Sequence, residues 1–345
     1  MWTTFSWALL RTACLLVAAS CLACASGLSE ASPASDLLQR YEFEAPKLGT
    51  LFRITLFAAD PAAAELAAAA AFARVDELNG ILSDYDENSE LSRLSAQSRH
   101  GAPSGPTPVS CELFTVLECA QSIALQTGGA FDVTVGPMTQ LWRRAVRQER
   151  MPPAAELAAA VQAVGHTKIV LHPVSREITL GAPRMRLDLG GIAKGYILDE
   201  ANAVLVSHGI TRALIDAGGD LLASGPPPGL LAWRVEVDTG QAESRIAMPL
   251  VRAGLATSGD TYQFAMIDGE RFSHIVDPRT GKGLRGSPAA SVRAASAMVA
   301  DAWASALCVL EPSDCIPLVD ATPGVEARYL KGAQLHTSAG FVVDQ

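Results

Sequence analysis

A chain of 345 residues that is 49% hydrophobic and 18% charged has globular composition and enough length for one large domain or two ordinary ones. Its 27 basic against 36 acidic residues leave a formal net charge of -9, and no long Lys/Arg run occurs, which argues against general nucleic-acid binding while leaving room for a local anion pocket.

Residues 1 to 29 carry a single charge, Arg11, and an apolar run from Ala13 to Ala19 followed by small residues and Cys21. This pattern reads as an export signal, too short and too rich in small residues for a membrane span. VAASC resembles a bacterial lipobox in which Cys21 is lipidated after cleavage, with Cys24 in CLAC as the competing site. The expected organisation is a signal and lipobox region at 1–24, an Ala/Ser/Pro-rich linker at 25–40 and one domain at 41–345. Cys111 and Cys119 fall on one expected helix, about 12 Å apart along its axis, too far to bridge. Cys308 and Cys315 read either as a pair around a helix end or as buried free thiols.

Tyr41 to Phe57 reads as two short strands broken around Pro46 to Thr50. Asp60 and Pro61 then supply the cap and first position of an alanine-rich helix running to about Leu82. In LSDYDENSELSRL, residues 82 to 94, Ser89 caps a short helix and Tyr85 is an aromatic ring in a polar loop. Such a ring is either a stacking platform for a planar ligand or a loop anchor. Ser110 caps a helix through Thr127 that Gly128 and Gly129 end. The alternation of Phe131, Val133 and Val135 predicts a short extended segment before Pro137, with Asp132 on its opposite face. A helix at 154–164 and strands at 168–172 and 177–180 follow.

MRLDLGGIAKGY, residues 185 to 196, is the stretch around which the rest is organised. Met185, Leu187 and Leu189 alternate with polar residues as in a half-buried strand, which Gly190 and Gly191 turn into a helix from Ile192, with Gly209 as its end. A helix start directed at an anion, with Lys194 adding positive charge, suits a phosphate. A tight connection with a solvated lysine is the alternative. RALIDAGGDLLASG, residues 212 to 225, then reads as strand, glycine turn, strand, a turn able to face the first. Trp233 to Leu250 continues as antiparallel sheet. A hairpin around Asp268 and Gly269 leads to a loop holding His274, Asp277, Pro278, Arg279 and Thr280. Ala294 to Leu310 forms a small-residue helix with Asp301 and Ser305 one turn apart on one face. Strands and helices mixed without a βαβ rhythm give the class α+β, with largely antiparallel sheets.

Six motifs, in order from about Leu48 to about Leu310, resemble the ApbE family of FAD:protein FMN transferases: LGT, LSDYDENSELSRL, GGAFDVTVGP, DLGGIAKGY, AGGD with SGD, and HIVDPRTG followed by ADAWASAL. The resemblance implies an exported enzyme at the periplasmic face of the inner membrane. It would split FAD, release AMP and attach FMN through a phosphoester to a Thr or Ser of an acceptor flavoprotein subunit of exported or membrane redox complexes. It also implies that Ala130, Phe131, Asp132, Asp188 and Lys194 contact FAD. Tyr85 would lie against a flavin or adenine ring, and Leu48 and Ile275 would line the pocket. His274 would act near the transferred phosphoryl, as base or as orienter of the acceptor hydroxyl. Gly191 through its carbonyl, Asp301 and Ser305 would hold Mg²⁺, with Asp301 essential to catalysis. The family more often has Thr at the position of Ser305 and Met at that of Leu48.

The chemistry accounts for these residue types independently. Attack of a hydroxyl on a pyrophosphate phosphorus needs charge neutralisation, in-line positioning and a proton acceptor, and hard oxygen ligands suit Mg²⁺. The bland alternatives are a helix Asp in a polar contact, a Ser bonded to its i-4 carbonyl and a structural His. The same pocket would also serve an FAD pyrophosphatase releasing FMN and AMP, or a non-catalytic flavin-binding lipoprotein.

Overall fold

The structure, a computed structural model, describes residues 38–98, 102–238, 245–260, 264–267, 269–332 and 334–343. The expected signal at 1–24, with Cys21 and Cys24, and the linker up to residue 37 lie outside the described residues.

β1 (Gln39–Lys47) and β2 (Thr50–Ala58) pair antiparallel through a two-residue turn. Leu48 and Gly49 there have φ of 54° and 73°, the left-handed geometry that short hairpin turns require. α1 (Pro61–Leu82) begins as its sequence dictates, with the Asp60 carboxylate accepting from the Ala63 N–H at 2.9 Å. Ser89 and Ser110 likewise cap α2 (Glu90–Ala96) and α3 (Cys111–Gln126). β3 (Thr107–Pro108) lies between them in sequence.

The first departure follows α3. Residues 131–135 form a compact turn, and α4 (Gly136–Gln148) starts directly after it. The alternation of Phe131, Val133 and Val135 therefore does not mark a strand, because Asp132 is buried as well and helix formation from Gly136 ends the segment. α5 (Ala154–Ala163) precedes β4 (Ile169–His172) and β5 (Glu177–Leu180), which join β3 in a small antiparallel sheet.

The second departure lies in the central stretch. Residues 185–189 are extended but make only one isolated parallel bridge, Val135 with Arg186, supported by an Asp188 N–H to Val133 carbonyl bond of 2.8 Å. This segment packs against the turn before α4 instead of entering a sheet. Gly136 permits that approach, since a Cβ there would sit 2.5 Å from the Arg186 carbonyl oxygen. α6 (Ala193–Ser207) follows the glycines, and Gly209 with φ of 82° terminates it.

β6 (Ala213–Ala217), β7 (Asp220–Ala223), β8 (Trp233–Asp238), β9 (Arg245–Leu250), β10 (Ala253–Gly259), β11 (Phe264–Ile267), β12 (Glu270–Ser273) and β13 (Ala289–Ala294) come next. α7 (Ala297–Val309), α8 (Pro312–Asp320), β14 (Val325–Lys331) and β15 (Gln334–Thr337) complete the described elements. Eight strands make one sheet in the order β1-β2-β6-β7-β10-β13-β14-β15, with every neighbouring pair antiparallel. The architecture is α+β, as expected.

One face of this sheet carries the helices. Phe52, Ile54 and Leu56 of β2 project into a core shared with Ala64, Ala67, Ala71 and Val75 of α1, and with Leu198, Trp303 and Leu307. Each large apolar side chain fully buried there contributes roughly 1.5–3 kcal/mol. The opposite face is covered around β7 and β10 by the β8–β9 ribbon through Trp233, Val235 and Met248. That explains why all four residues of β7 are buried instead of alternating.

α6 and α7 cross at close range. A Cβ on Gly195 would lie 2.1 Å from the Ala297 carbonyl oxygen, so the crossing depends on glycine. Asp199, one turn along α6, accepts from the Ser296 hydroxyl at 2.6 Å and from the Ala297 and Met298 N–H groups at 2.9 and 3.0 Å. A half-buried carboxylate thus caps α7 and fixes the face carrying Asp301 and Ser305 against the start of α6. Cys308 and Cys315 are buried free thiols, and Cys111 and Cys119 are also unbridged.

Candidate active site

A cavity of about 830 Å³ opens where the DLGG turn, the Gly218–Gly219 turn, α7 and the loop after β12 meet. That size lies within the ~300–1,000 Å³ typical of small-molecule sites. Tyr85, Ala130, Phe131, Asp132, Asp188, Gly191, Lys194, His274, Ile275, Asp301 and Ser305 all line it. The two glycine turns face the same space, as their sequences suggested. Leu48 is the exception, since in its left-handed turn position it packs half-buried against the core and is absent from the cavity lining.

At the DLGG turn the backbone is less open than a bare phosphate cradle. Asp188 Oδ1 accepts from the Gly190 N–H at 2.9 Å, and in the facing turn Asp216 Oδ1 accepts from the Gly219 N–H at 2.9 Å. The Gly195 N–H at the start of α6 donates to Asp301 Oδ2 at 3.1 Å. A side chain of the protein therefore takes part of the anion-binding capacity of that helix end. Positive charge at this helix start comes from Lys194, whose ammonium lies 2.7 Å from Asp220 Oδ2. Burial alone would lower the Lys194 pKa, but the charges of Asp220 and Asp301 outweigh it and the net direction is upward. Lys194 stays cationic.

Asp301 is buried, and burial followed by the neighbouring Asp220 charge pushes its pKa well above the usual carboxylate range, against the pull of Lys194. A buried carboxylate so disfavoured in its charged form suits a cationic ligand. Ser305, one turn on, has its Oγ 3.2 Å from the Ser258 hydroxyl. The Gly191 backbone presses against it so closely that a Cβ would meet Ser305 Oγ at 2.6 Å. One carboxylate, a hydroxyl and a glycine backbone thus converge from two distant motifs, and this hard-oxygen set fits Mg²⁺. Among the described residues no cluster of three His, Cys, Asp or Glu side chains suits a metal, so the fit rests on this mixed set.

Asp132 lines the cavity, yet its oxygens are engaged. Oδ1 accepts from the Thr134 N–H and hydroxyl at 2.8 and 2.7 Å, and Oδ2 from the His166 N–H at 2.7 Å. Its carboxylate locks the GAFD turn and so sets the position of Phe131. His274 is exposed at the cavity on a tightly paired loop. Leu284 N–H donates to the Ile275 carbonyl at 3.0 Å and Asp277 N–H to the Lys282 carbonyl at 2.9 Å. The loop is held from below by Trp142, whose indole N–H donates to the Gly281 carbonyl at 2.8 Å. Arg279 reaches the Val309 carbonyl at the end of α7 at 3.3 Å.

Several residues that line the cavity, or pair with a residue that does, were not singled out from the sequence. Thr139 and Arg143 of α4 both reach Asp188 Oδ2, at 2.7 and 3.1 Å. Their i, i+4 spacing in TQLWRR is the signal, invisible without the helix. Asp220 and Ser258 sit inside the AGGD and SGD motifs, whose order had been noted without assigning these side chains.

Comparison with known proteins agrees with this layout. The ApbE family model matches residues 48–329. An FAD:protein FMN transferase of Klebsiella pneumoniae (strain 342) is 30% identical over 317 residues, covering 90% of this chain and 87% of its own length. One of Treponema pallidum (strain Nichols) is 30% identical over 318 residues, with 86% of each chain covered. Among solved structures, the flavin transferase ApbE from Vibrio cholerae superposes with a TM-score of 0.78 at 27% identity, over 88% of this chain and 98% of that one. The Thermotoga maritima ApbE protein gives 0.77 at 28% identity, over 87% and 97%. With a family model spanning most of its length and relatives 30% identical over most of theirs, the chain belongs to the ApbE family.

Proposed function

We propose that this protein transfers the FMN moiety of FAD to a Thr or Ser hydroxyl of an acceptor protein, releasing AMP. The observation that carries this reading is the convergence on one cavity of the DLGG turn, the Asp301 and Ser305 face of α7 and the His274 loop. In sequence these lie far apart, and a reaction needing all three accounts for their meeting.

In the reaction the acceptor hydroxyl oxygen bonds to the FMN phosphorus, and the bond from that phosphorus to the bridging oxygen breaks, the oxygen leaving with AMP. His274, exposed at the cavity, takes the hydroxyl proton or orients the hydroxyl for attack. Lys194 places a fixed cation beside the pyrophosphate. Phe131 and Tyr85 offer apolar surface to the planar rings, and the Asp132 hydrogen bonds keep the Phe131 turn from shifting. Asp301, Ser305 and the Gly191 carbonyl would hold Mg²⁺, which when bound neutralises charge on the pyrophosphate oxygens. The acceptor class is an exported or membrane redox subunit, in keeping with the signal-like N-terminus and a lipid anchor at Cys21, or at Cys24 in its place.

Incubating the mature domain with FAD, Mg²⁺ and candidate exported redox subunits, followed by intact-mass measurement, tests the reading. An acceptor gain equal to the FMN moiety is expected. Free FMN with AMP and an unmodified acceptor would mean hydrolysis, and unchanged FAD would mean binding alone.

A further inference from the structure

Arg143 belongs to no motif of the resemblance, yet it occupies a junction in the cavity wall. One guanidinium nitrogen donates to Asp84 Oδ2 at 2.5 Å and the other to Asp188 Oδ2 at 3.1 Å. The fork therefore ties the SDYD loop to the DLGG turn. Both aspartates are buried, and burial followed by the Asp188 charge raises the Asp84 pKa, with Arg143 opposing it. Over the Tyr85 ring the Arg143 Cζ sits 4.4 Å from the centroid.

Tyr85 itself is 78% exposed, belongs to no core cluster and nonetheless lines the cavity. An aromatic side chain that exposed has no packing to select one rotamer. A planar guanidinium fixed by two buried carboxylates does select one, because it presents a rigid cationic face to the ring's negative face. Lysine cannot do both, since its point charge lacks the bidentate fork.

We propose that Arg143 is a positioning residue for substrate binding: it holds the Tyr85 ring as a preset wall against which a flat heteroaromatic ring of FAD stacks. The inference rests on the FAD reading above and adds to it a residue that governs affinity and not the transfer step. Preorganising a platform lowers the cost of ordering it on binding, so the effect falls on the dissociation constant. The stacked ring is either the flavin or the adenine, both planar, and the two separate experimentally.

The test is fluorescence titration of FAD into the wild type, Arg143→Lys, Tyr85→Ala and the double variant, with thermal melting alongside. Arg143→Lys keeps the charge between the two aspartates, so folding is retained. Its FAD dissociation constant is expected to rise about 3- to 10-fold, the scale of one cation–π contact, while the transfer rate at saturating FAD stays within about twofold. Within the Tyr85→Ala background the same substitution should have no further effect, because its partner is gone. Repeating the titration with FMN and with ADP shows which ring is stacked, the weaker binding following FMN if the flavin and ADP if the adenine. Unchanged affinity in Arg143→Lys, or an equal loss with and without Tyr85, overturns the proposal. A wild type that binds no FAD overturns the underlying reading and this inference with it.

Discussion

His274 and Asp301 occupy opposite environments, and their substitutions separate accordingly. His274 is exposed on an ordered loop, so His274→Ala removes a functional group without opening a cavity. Transfer should slow by about 10²- to 10⁴-fold, the range of general acid–base contributions, with FAD affinity and melting temperature unchanged. Stopped-flow transfer and equilibrium titration read the two quantities, and a parallel loss of both would mark His274 as structural. The types of these residues were legible in the sequence because HIVDPRTG and ADAWASAL are specific strings. Arg143, Thr139, Asp220 and Ser258 were not, because each acts through a partner 26 to 59 residues distant that only folding brings near. Leu48 is a different case, since it lies outside the cavity lining. Its place in a matching motif suggested the pocket, while its positive φ commits it to a hairpin turn.

At the scale of elements, the caps were readable with little error. Asp60, Ser89 and Ser110 all begin helices where their short side chains can accept a first-turn N–H. Period-two alternation misled twice, at 131–135 and 185–189, because side chains in an extended or turning segment alternate whether or not a neighbouring strand pairs with it. Glycine meaning also depends on the fold, and two positions contrast it. Gly195→Ala would drive a Cβ to 2.1 Å from the Ala297 carbonyl oxygen, whereas a Cβ at Gly80 in α1 meets nothing within 4 Å. Gly195→Ala should destabilise by about 1–3 kcal/mol through overpacking at the α6–α7 crossing. Gly80→Ala should stabilise by about 0.4–1 kcal/mol through restriction of the unfolded chain and better helix propensity. Urea midpoints for the two variants test the pair, and equal shifts would show that the crossing is not glycine-dependent.

For the whole molecule, the helix layer, the eight-stranded sheet and the β8–β9 ribbon serve to bring a turn after one extended segment against a helix more than 100 residues later. Sequence order alone reveals the parts and not this meeting. Attachment belongs to this scale too. No helix among the described residues is long and apolar enough to cross a membrane, and the lipobox-like VAASC supplies the anchoring chemistry in the proposed reading. Cys21→Ser should release the protein from membranes on fractionation. Retention with Cys24 lipidated would move the anchor to that residue.

The convergence of Asp301, Ser305 and Gly191 is most directly tested by the initial rate of AMP release measured against Mg²⁺ concentration. Asp301→Ala should nearly abolish turnover, because it removes the one formally negative group of the three. Ser305→Ala should raise the Mg²⁺ concentration needed for half-maximal rate, and Ser305→Thr should match or improve on the wild type by restricting the hydroxyl's rotamers. If all three variants kept the wild-type dependence on Mg²⁺, these residues would be structural and metal-assisted transfer at this site would be contradicted.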